Sequence, residues 1–245
     1  MPRRNYLMRL AYDGRAYEGW QRLPEGKPSI QALVEKHLSA ILGEPIEITG
    51  ASRTDRGVHA EGQAASFHSR SPKPVASILA ELDRELPPDI VVKRIEEVDP
   101  RFHARFRAKS KLYRYRFHVG ERPDPFLRPY SHHVKAPLDL GAMREAALVL
   151  IGEHDFAAFT NAKDAQTRRS LDAIRVEEGG ALVDIFFEGK SFLYNQVRLM
   201  AAALLAVGEG RLSSAALREA LDKGERRALP GALGAWGLCL MDVRY

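Results

Sequence analysis

One acid in this sequence, Asp55, stands between Arg53 and Arg56, with Gly57 and His59 close behind, in the run SRTDRGVHAEGQ at residues 52–63. The run is too polar to be core. A guanidinium beside a carboxylate favours the ionised form and lowers its pKa. An acid so placed suits a nucleophile or a base better than a proton donor. Composition alone favours a surface acid with two solvated arginines. Position argues the other way: strands expected at residues 45–50 and 62–69 leave Asp55 in a loop of about ten residues, longer than most hairpin connections. Long loops on rigid scaffolds carry function.

Two further stretches offer chemistry. KSKLYRYRFHV, residues 109–119, alternates strictly. As a strand it puts Leu112, Arg114, Arg116 and His118 on one face and Tyr113, Tyr115, Phe117 and Val119 on the other. Arginine for phosphate and an aromatic ring for a base is the mixture nucleic-acid proteins use. An amphipathic strand with its aromatic face in the core gives the same pattern. Phe117 and Val119 are read as core, and Tyr113 is open to either reading. The second stretch is GKSFLYNQVRLM, residues 189–200, where Arg198 is a charge inside an otherwise apolar helical run. An arginine there has to reach solvent or meet an anion, because burying it unpaired is costly.

Other clusters are weaker. His154 and Asp155 are adjacent but have no third ligand at metal spacing, so a helix cap or turn is expected. His132 and His133 are neighbours on an expected strand and point to opposite faces. No Gly-rich loop with Gly-Lys-Ser/Thr appears, so no nucleotide cofactor is expected. No Cys/His cluster has zinc spacing, so no metal is expected. The single cysteine, Cys239, allows no internal disulfide. No apolar run approaches the ~18–20 residues that span a bilayer. The start, MPRRNYLMRLAYDG, has no continuous apolar stretch. A cytoplasmic location is the expectation.

The 245 residues carry a net charge of +5, and the charge is focused. Between Arg101 and Arg128 nine basic residues stand against two acids, a net of +7, which leaves −2 for the rest. Such a stripe is the footprint of a polyanion, most often nucleic acid, or else a solvated face; charge alone leaves the two even.

The elements that must position these residues read clearly. Strands are expected at 5–12, 45–50, 62–69 and 89–98, with helices at 29–43 and 74–87 between them. That is the β-α-β-β-α-β, or ferredoxin-like, order. Ser29 is the expected N-cap of the first helix and Gly43 its stop. The second half repeats the order. It has strands at 111–119 and 130–136, a helix at 138–152 ended by Gly152, and a hairpin at 171–189 around Gly179-Gly180. A long helical run at 191–208, a helix at 213–224 and a closing strand at 237–245 complete it. The expected class is α+β: two ferredoxin-like units, residues 1–106 and 107–245, whose antiparallel sheets join into one central sheet, with a cleft between them lined by the basic stripe.

Taken together the motifs resemble the tRNA pseudouridine synthase A family. SRTDRGVHA is similar to its Gly-Arg-Thr-Asp-x-Gly-Val-His signature, and YDGRAYEGWQ at 12–21 to its Tyr-Asp-Gly…Gly-Trp-Gln element. FHARFRAKSKLYRYRF, GEHDFAAF, SFLYNQVRLM and WGLCLMDVRY resemble later elements in the family's order. The resemblance implies a cofactor-free isomerisation of uridine to pseudouridine in tRNA, in the anticodon stem-loop at positions 38 to 40, by a homodimer. It implies Asp55 as catalytic carboxylate, Tyr113 as the ring packed on the target base, Arg198 as the partner of the carboxylate and Arg53 as the side chain filling the space of the flipped base. Four positions depart from the family pattern. Ser52 replaces a glycine and strains the turn if a positive φ is required there. Arg56 replaces a small residue and has no assigned role. Gln196 stands for methionine, and Ala235-Trp236 for Ala-Pro. An RNA-binding module without catalysis explains the stripe but leaves Asp55 without a role. A hydrolase using Asp55 as nucleophile is the other alternative.

Overall fold

The computed structural model describes residues 3–162 and 166–245. Met1 and Pro2, at the start of the segment read for a leader, lie outside them. The fold is mixed α+β, and the chain divides into two compact units. One runs to Lys109 and takes up Cys239–Tyr245; the other is Ser110–Leu238.

The first unit has β1 (Arg4–Tyr12), α1 (Ile30–Leu42), β2 (Ile48–Gly50), β3 (His59–Ser69), α2 (Val75–Glu85) and β4 (Ile90–Val98). β1 lies antiparallel between β3 and β4, and β2 pairs antiparallel with β3. The spatial order β4-β1-β3-β2 is that of a ferredoxin-like sheet. The helix signals act where the spacing predicts. Ser29 caps α1 through its side chain, and Gly43 ends it in the left-handed region at φ 70°. Ile30, Val34 and Leu38 turn into the core and are fully buried. β2 is shorter than expected because its approach bonds to α1 instead of a strand. Ile46 N–H donates to Ser39 Oγ at 2.9 Å and Ile48 N–H to Glu35 Oε1 at 2.9 Å.

The closing strand β10 (Leu238–Arg244) runs parallel to β3, with Cys239 opposite His59 and Leu240 opposite Ala60. Chain order places this strand at the end of the second half, whereas its residues from Cys239 onward belong to the first unit. Parallel partners need long crossovers, and nothing local in a strand sequence names its partner.

The second unit contains β5 (Ser110–Val119), β6 (His132–Val134), α3 (Leu140–Leu150), β7 (Gly152–Asp155), β8 (Arg168–Gly179), β9 (Leu182–Gly189), α4 (Gln196–Gly208) and α5 (Ser214–Lys223). The order is β5-β9-β8-β7, antiparallel where the register is set, with β6 parallel on the free part of β5. The hairpin turns at Gly180-Ala181, one residue later than expected: Gly179 still pairs with Leu182, and Gly180 takes φ 65°. Gly152 does not stop α3. Ile151 caps the helix, and Gly152, at φ 103°, opens β7, a strand the sequence pattern did not show.

The long run at 191–208 is helical only from Gln196. Asn195, at φ 61°, is the non-glycine residue with positive φ among the described residues, and it separates the helix from a turn. In that turn Gln196 N–H donates to the Leu193 carbonyl, and the Gln196 amide oxygen accepts from Leu193 N–H at 2.8 Å. A methionine thioether is a poor substitute for that second bond. α4 is buried along nearly its whole length, packed on α3 and β5. That explains a run with no charge from Leu199 to Gly208.

Candidate active site

In the first unit, Asp55 lies in the turn region at 51–58 between β2 and β3. The end of the motif is not loop: His59, Ala60 and Glu61 begin β3. The connection is thus shorter than the sequence reading allowed, and much more tightly held. Ala51 N–H donates to the Ala64 carbonyl at 2.7 Å, and Trp20 N–H to the Thr54 carbonyl at 3.0 Å. Gln63 donates to the Ser52 carbonyl at 2.8 Å and to the Tyr12 hydroxyl at 3.3 Å; that hydroxyl is 2.7 Å from Thr54 Oγ1. Thr54 and Gln63 are buried, Asp55 is half-buried, and Arg53 and Arg56 are exposed. The carboxylate therefore sits between a fixed, dry support and an open rim. Gly57, at φ 78°, supplies the left-handed residue that closes the turn. Ser52 does not have a positive φ, so the strain expected there is absent.

The cradle of this loop is the early segment YDGRAYEGWQ, whose structural part the sequence reading missed. A Cβ on Gly19 would lie 2.6 Å from the Thr54 carbonyl oxygen and 3.0 Å from the Asp55 carbonyl carbon; one on Gly14 would lie 2.0 Å from the Val58 carbonyl oxygen. Gly19 also has φ +104°. The two glycines let backbone rest on backbone at both ends of the turn, Gly19 at Thr54–Asp55 and Gly14 at Val58. Gly14 N–H donates to His59 Nδ1 at 3.2 Å, and Asp13 Oδ1 lies 3.2 Å from the same nitrogen. Trp20 is buried with its indole against Gly50, where a Cβ would be 2.4 Å from Nε1. Paired glycines close to an aromatic in a polar stretch are the signal that marks such a close approach.

Arg56 does have a partner. Its guanidinium lies 3.4 Å from Glu18 Oε1, on the same cradle segment, and the side chain is 76% exposed. Such a pair contributes at most about 1 kcal/mol. The two arginines that bracket Asp55 in sequence therefore differ in space, one tied to the cradle.

The second unit holds Tyr113 and Arg198. Tyr113 lies on β5, opposite Phe187 of β9, and is 5% exposed, its ring edge-on to Phe192 at 5.1 Å. Tyr115 and Phe117 on the same face are fully buried. On the other face Arg116 is fixed by two bonds to its cross-strand neighbour Asp184, at 2.8 and 2.7 Å. One arginine of the basic stripe therefore serves the sheet.

Arg198 projects from the first turn of α4 and is half-buried. Its Nη1 donates to Asn195 Oδ1 at 2.8 Å and its Nε to the Leu233 carbonyl at 2.6 Å. Both anchors are themselves anchored. Leu233 adjoins Gly234, whose carbonyl accepts from the buried Tyr115 hydroxyl at 2.8 Å. Burial pushes that hydroxyl well above the usual tyrosine range, so it stays a donor. Gly237 lets the chain pass close to the ring, since a Cβ would meet Tyr115 at 2.7 Å. Asn195 follows Tyr194, whose carbonyl accepts from Thr160 Oγ1 at 3.0 Å. The loop carrying Thr160 is gripped by Arg226, which donates to the carbonyls of Ala158 and Thr160, at 3.0 and 2.8 Å, and to Asn161 Oδ1. Nothing in the sequence signals this clamp, which joins residues more than sixty positions apart.

The expected turn role at His154-Asp155 is partly found. Both residues are in β7, but Asp155 Oδ1 caps Ala157 N–H at 3.0 Å, and Phe156 and Phe159 are fully buried core. His133 Nε2 is 2.7 Å from the Gly120 carbonyl. His132 meets Phe117 edge-on, and burial pulls its pKa down. Among the described residues no group of three or more His, Cys, Asp or Glu could hold a metal ion, and no helix is long and apolar enough to cross a membrane.

The fold is α+β, Asp55 sits in a loop backed by glycines, and the basic charge is focused between Arg101 and Arg128. A family model described as tRNA pseudouridine synthase matches residues 9–107 and 146–245, segments that contain Asp55 and Arg198. The chain belongs to that family, and pseudouridine synthases are isomerases. It is 40% identical over 243 residues to tRNA pseudouridine synthase A 2 of Bacillus cereus (strain ZK / E33L), covering 98% of this chain and 99% of that protein. It is 41% identical over 244 residues to tRNA pseudouridine synthase A of Geobacter sulfurreducens, covering 96% and 97%. With tRNA pseudouridine synthase A 1 of Clostridium tetani the identity is 39% over 244 residues, covering 99% and 100%.

Proposed function

We propose that this protein converts uridine to pseudouridine in the anticodon stem-loop of tRNA, at positions 38 to 40, with Asp55 as the catalytic carboxylate. The N1–C1′ bond breaks, the uracil turns, C5 joins C1′, and the proton displaced from C5 is balanced by one gained at N1. A glycosidase needs a second carboxylate for its leaving group and a water to finish. Recapture of the base needs neither, so one ionised carboxylate suffices and no cofactor enters. A uridine in a stem must first leave the stack, at a cost of roughly a few kcal/mol. Tyr113 is proposed to pack on the uracil, Arg53 to occupy the space it leaves, and Arg198 to serve as cationic partner of the carboxylate. The protein is proposed to act as a homodimer in the cytoplasm.

The observation that carries this reading is the seating of Asp55. A half-buried acid is held by backbone bonds on a support that tolerates no Cβ at Gly14 or Gly19, which is the preorganisation a reacting carboxylate requires. The test is a pseudouridine map of tRNA exposed to the wild type and to Asp55→Asn. The expected result is pseudouridine at positions 38 to 40 with the wild type, none with the variant, and unchanged tRNA affinity. Pseudouridine that persists in the variant removes Asp55 from the mechanism.

A further inference from the structure

The connection from β4 to β5 carries a feature that the reaction does not use. Its fold is tightly specified from within the first unit. Asn5 donates to the carbonyls of Asp99 and Phe102, both at 2.9 Å, Ala104 N–H donates to Ser66 Oγ at 3.2 Å, and the Tyr245 hydroxyl donates to the Ala104 carbonyl at 2.9 Å. Ala104 and Ala108 are buried. On this anchored backbone Phe106 is 75% exposed and lies flat on His103, ring centroids 4.2 Å apart and planes 27° from parallel. His103 is itself held: its Nδ1 accepts from the N–H groups of Arg105 and Phe106 at 3.2 and 3.3 Å. Accepting there leaves the ring proton on Nε2. One face of Phe106 is thus backed by a fixed ring, and the other meets solvent. Arg101, Arg105, Arg107 and Lys109 lie within five residues of it along the chain, all exposed and none ion-paired among the described residues.

We propose that Phe106, backed by His103, is a stacking platform for an unpaired nucleobase of the RNA substrate, with Arg101, Arg105, Arg107 and Lys109 taking the flanking phosphates. A rigid aromatic face inside a cluster of unpaired cations is what single-stranded nucleic acid recognises. Every base has a π-face, so the platform does not need to read sequence. A second copy of this chain fits the patch poorly, because it carries the same cations. Folding does not require the ring, since an exposed phenylalanine contributes little to the core.

The proposal rests on RNA being the substrate, and binding experiments separate the two. Phe106→Ala should weaken binding to a tRNA transcript by roughly 5- to 100-fold, leaving the unfolding midpoint unchanged. It should also leave unchanged the slope of log affinity against log salt. Arg105→Ala should lower that slope by about one. Phe106→Trp should show fluorescence quenching, above the wild-type background, with the transcript and with an unpaired oligonucleotide, but not with a blunt RNA duplex. The platform is overturned if Phe106→Ala binds the transcript like the wild type. Equal quenching by the duplex also overturns it, as does a loss of self-association in Phe106→Ala by sedimentation, which would make the patch an interface between copies. Should the wild type form no pseudouridine while Phe106→Trp still reports unpaired RNA, the platform stands and the proposed reaction falls.

Discussion

Asp55 rides on a loop whose backbone is wedged against Gly14 and Gly19, whereas Arg198 projects from a helix and is caught at its far end by Asn195 and the Leu233 carbonyl. The carboxylate has one rotatable carbon between it and the chain, so its position is the position of its backbone. The fold places it by removing side chains from the residues beneath. The guanidinium has a long stem and large rotamer freedom. Fixing its backbone does not fix its charge, and hydrogen bonds at its tip do that work. A short side chain therefore asks for glycines, and a long one asks for acceptors.

Substitutions can break this contrast. The largest effect is expected at Gly19→Ala, which forces an alanine to φ +104° and drives its Cβ onto the Thr54 carbonyl. It should lose about 2–4 kcal/mol in urea unfolding, and pseudouridine formation with it. Gly43→Ala, at φ +70° with open space around it, should lose only about 1 kcal/mol. Equal losses would mean that the close approach under Asp55 is unimportant. Next comes Asn195→Gly, which accepts the left-handed backbone but removes Oδ1. The expected result is a fall in kcat of about tenfold, with KM and unfolding midpoint nearly unchanged. A variant that loses stability instead would make Asn195 a structural residue of the turn. The smallest effect belongs to Arg56→Ala. Its pair with Glu18 is exposed, so stability should change by less than about 1 kcal/mol and turnover should be kept. A large loss there would show that the cradle depends on charge as well as on glycine.

Much of this was legible in local pattern. Ser29, Gly43, Ser213 and Gly224 mark helix ends because capping depends on neighbours a few residues away. The alternation at 111–119 put Phe117 in the core because strand periodicity is local too, but Val119, read as core with it, is only half-buried where the strand ends. The start of α4 was not legible. Apolar spacing runs on through SFLY, and only the left-handed backbone at Asn195, whose Oδ1 accepts from Arg198, breaks it. Tyr113 stayed ambiguous in sequence for the same reason. Its burial depends on Phe192, brought to it by the chain beyond β9.

The sequence by itself determined the α+β class, most elements, the focused charge and the placing of an acid, Asp55, between two strands, since each follows from residue type, spacing or a quoted motif. Only tertiary structure decided what lies under that acid, why YDGRAYEGWQ carries two glycines, where the closing strand pairs, and which arginines are occupied. Those are contacts between residues far apart in the chain. Their existence depends on loop closure and packing of the whole unit, and no window of neighbouring residues contains that information.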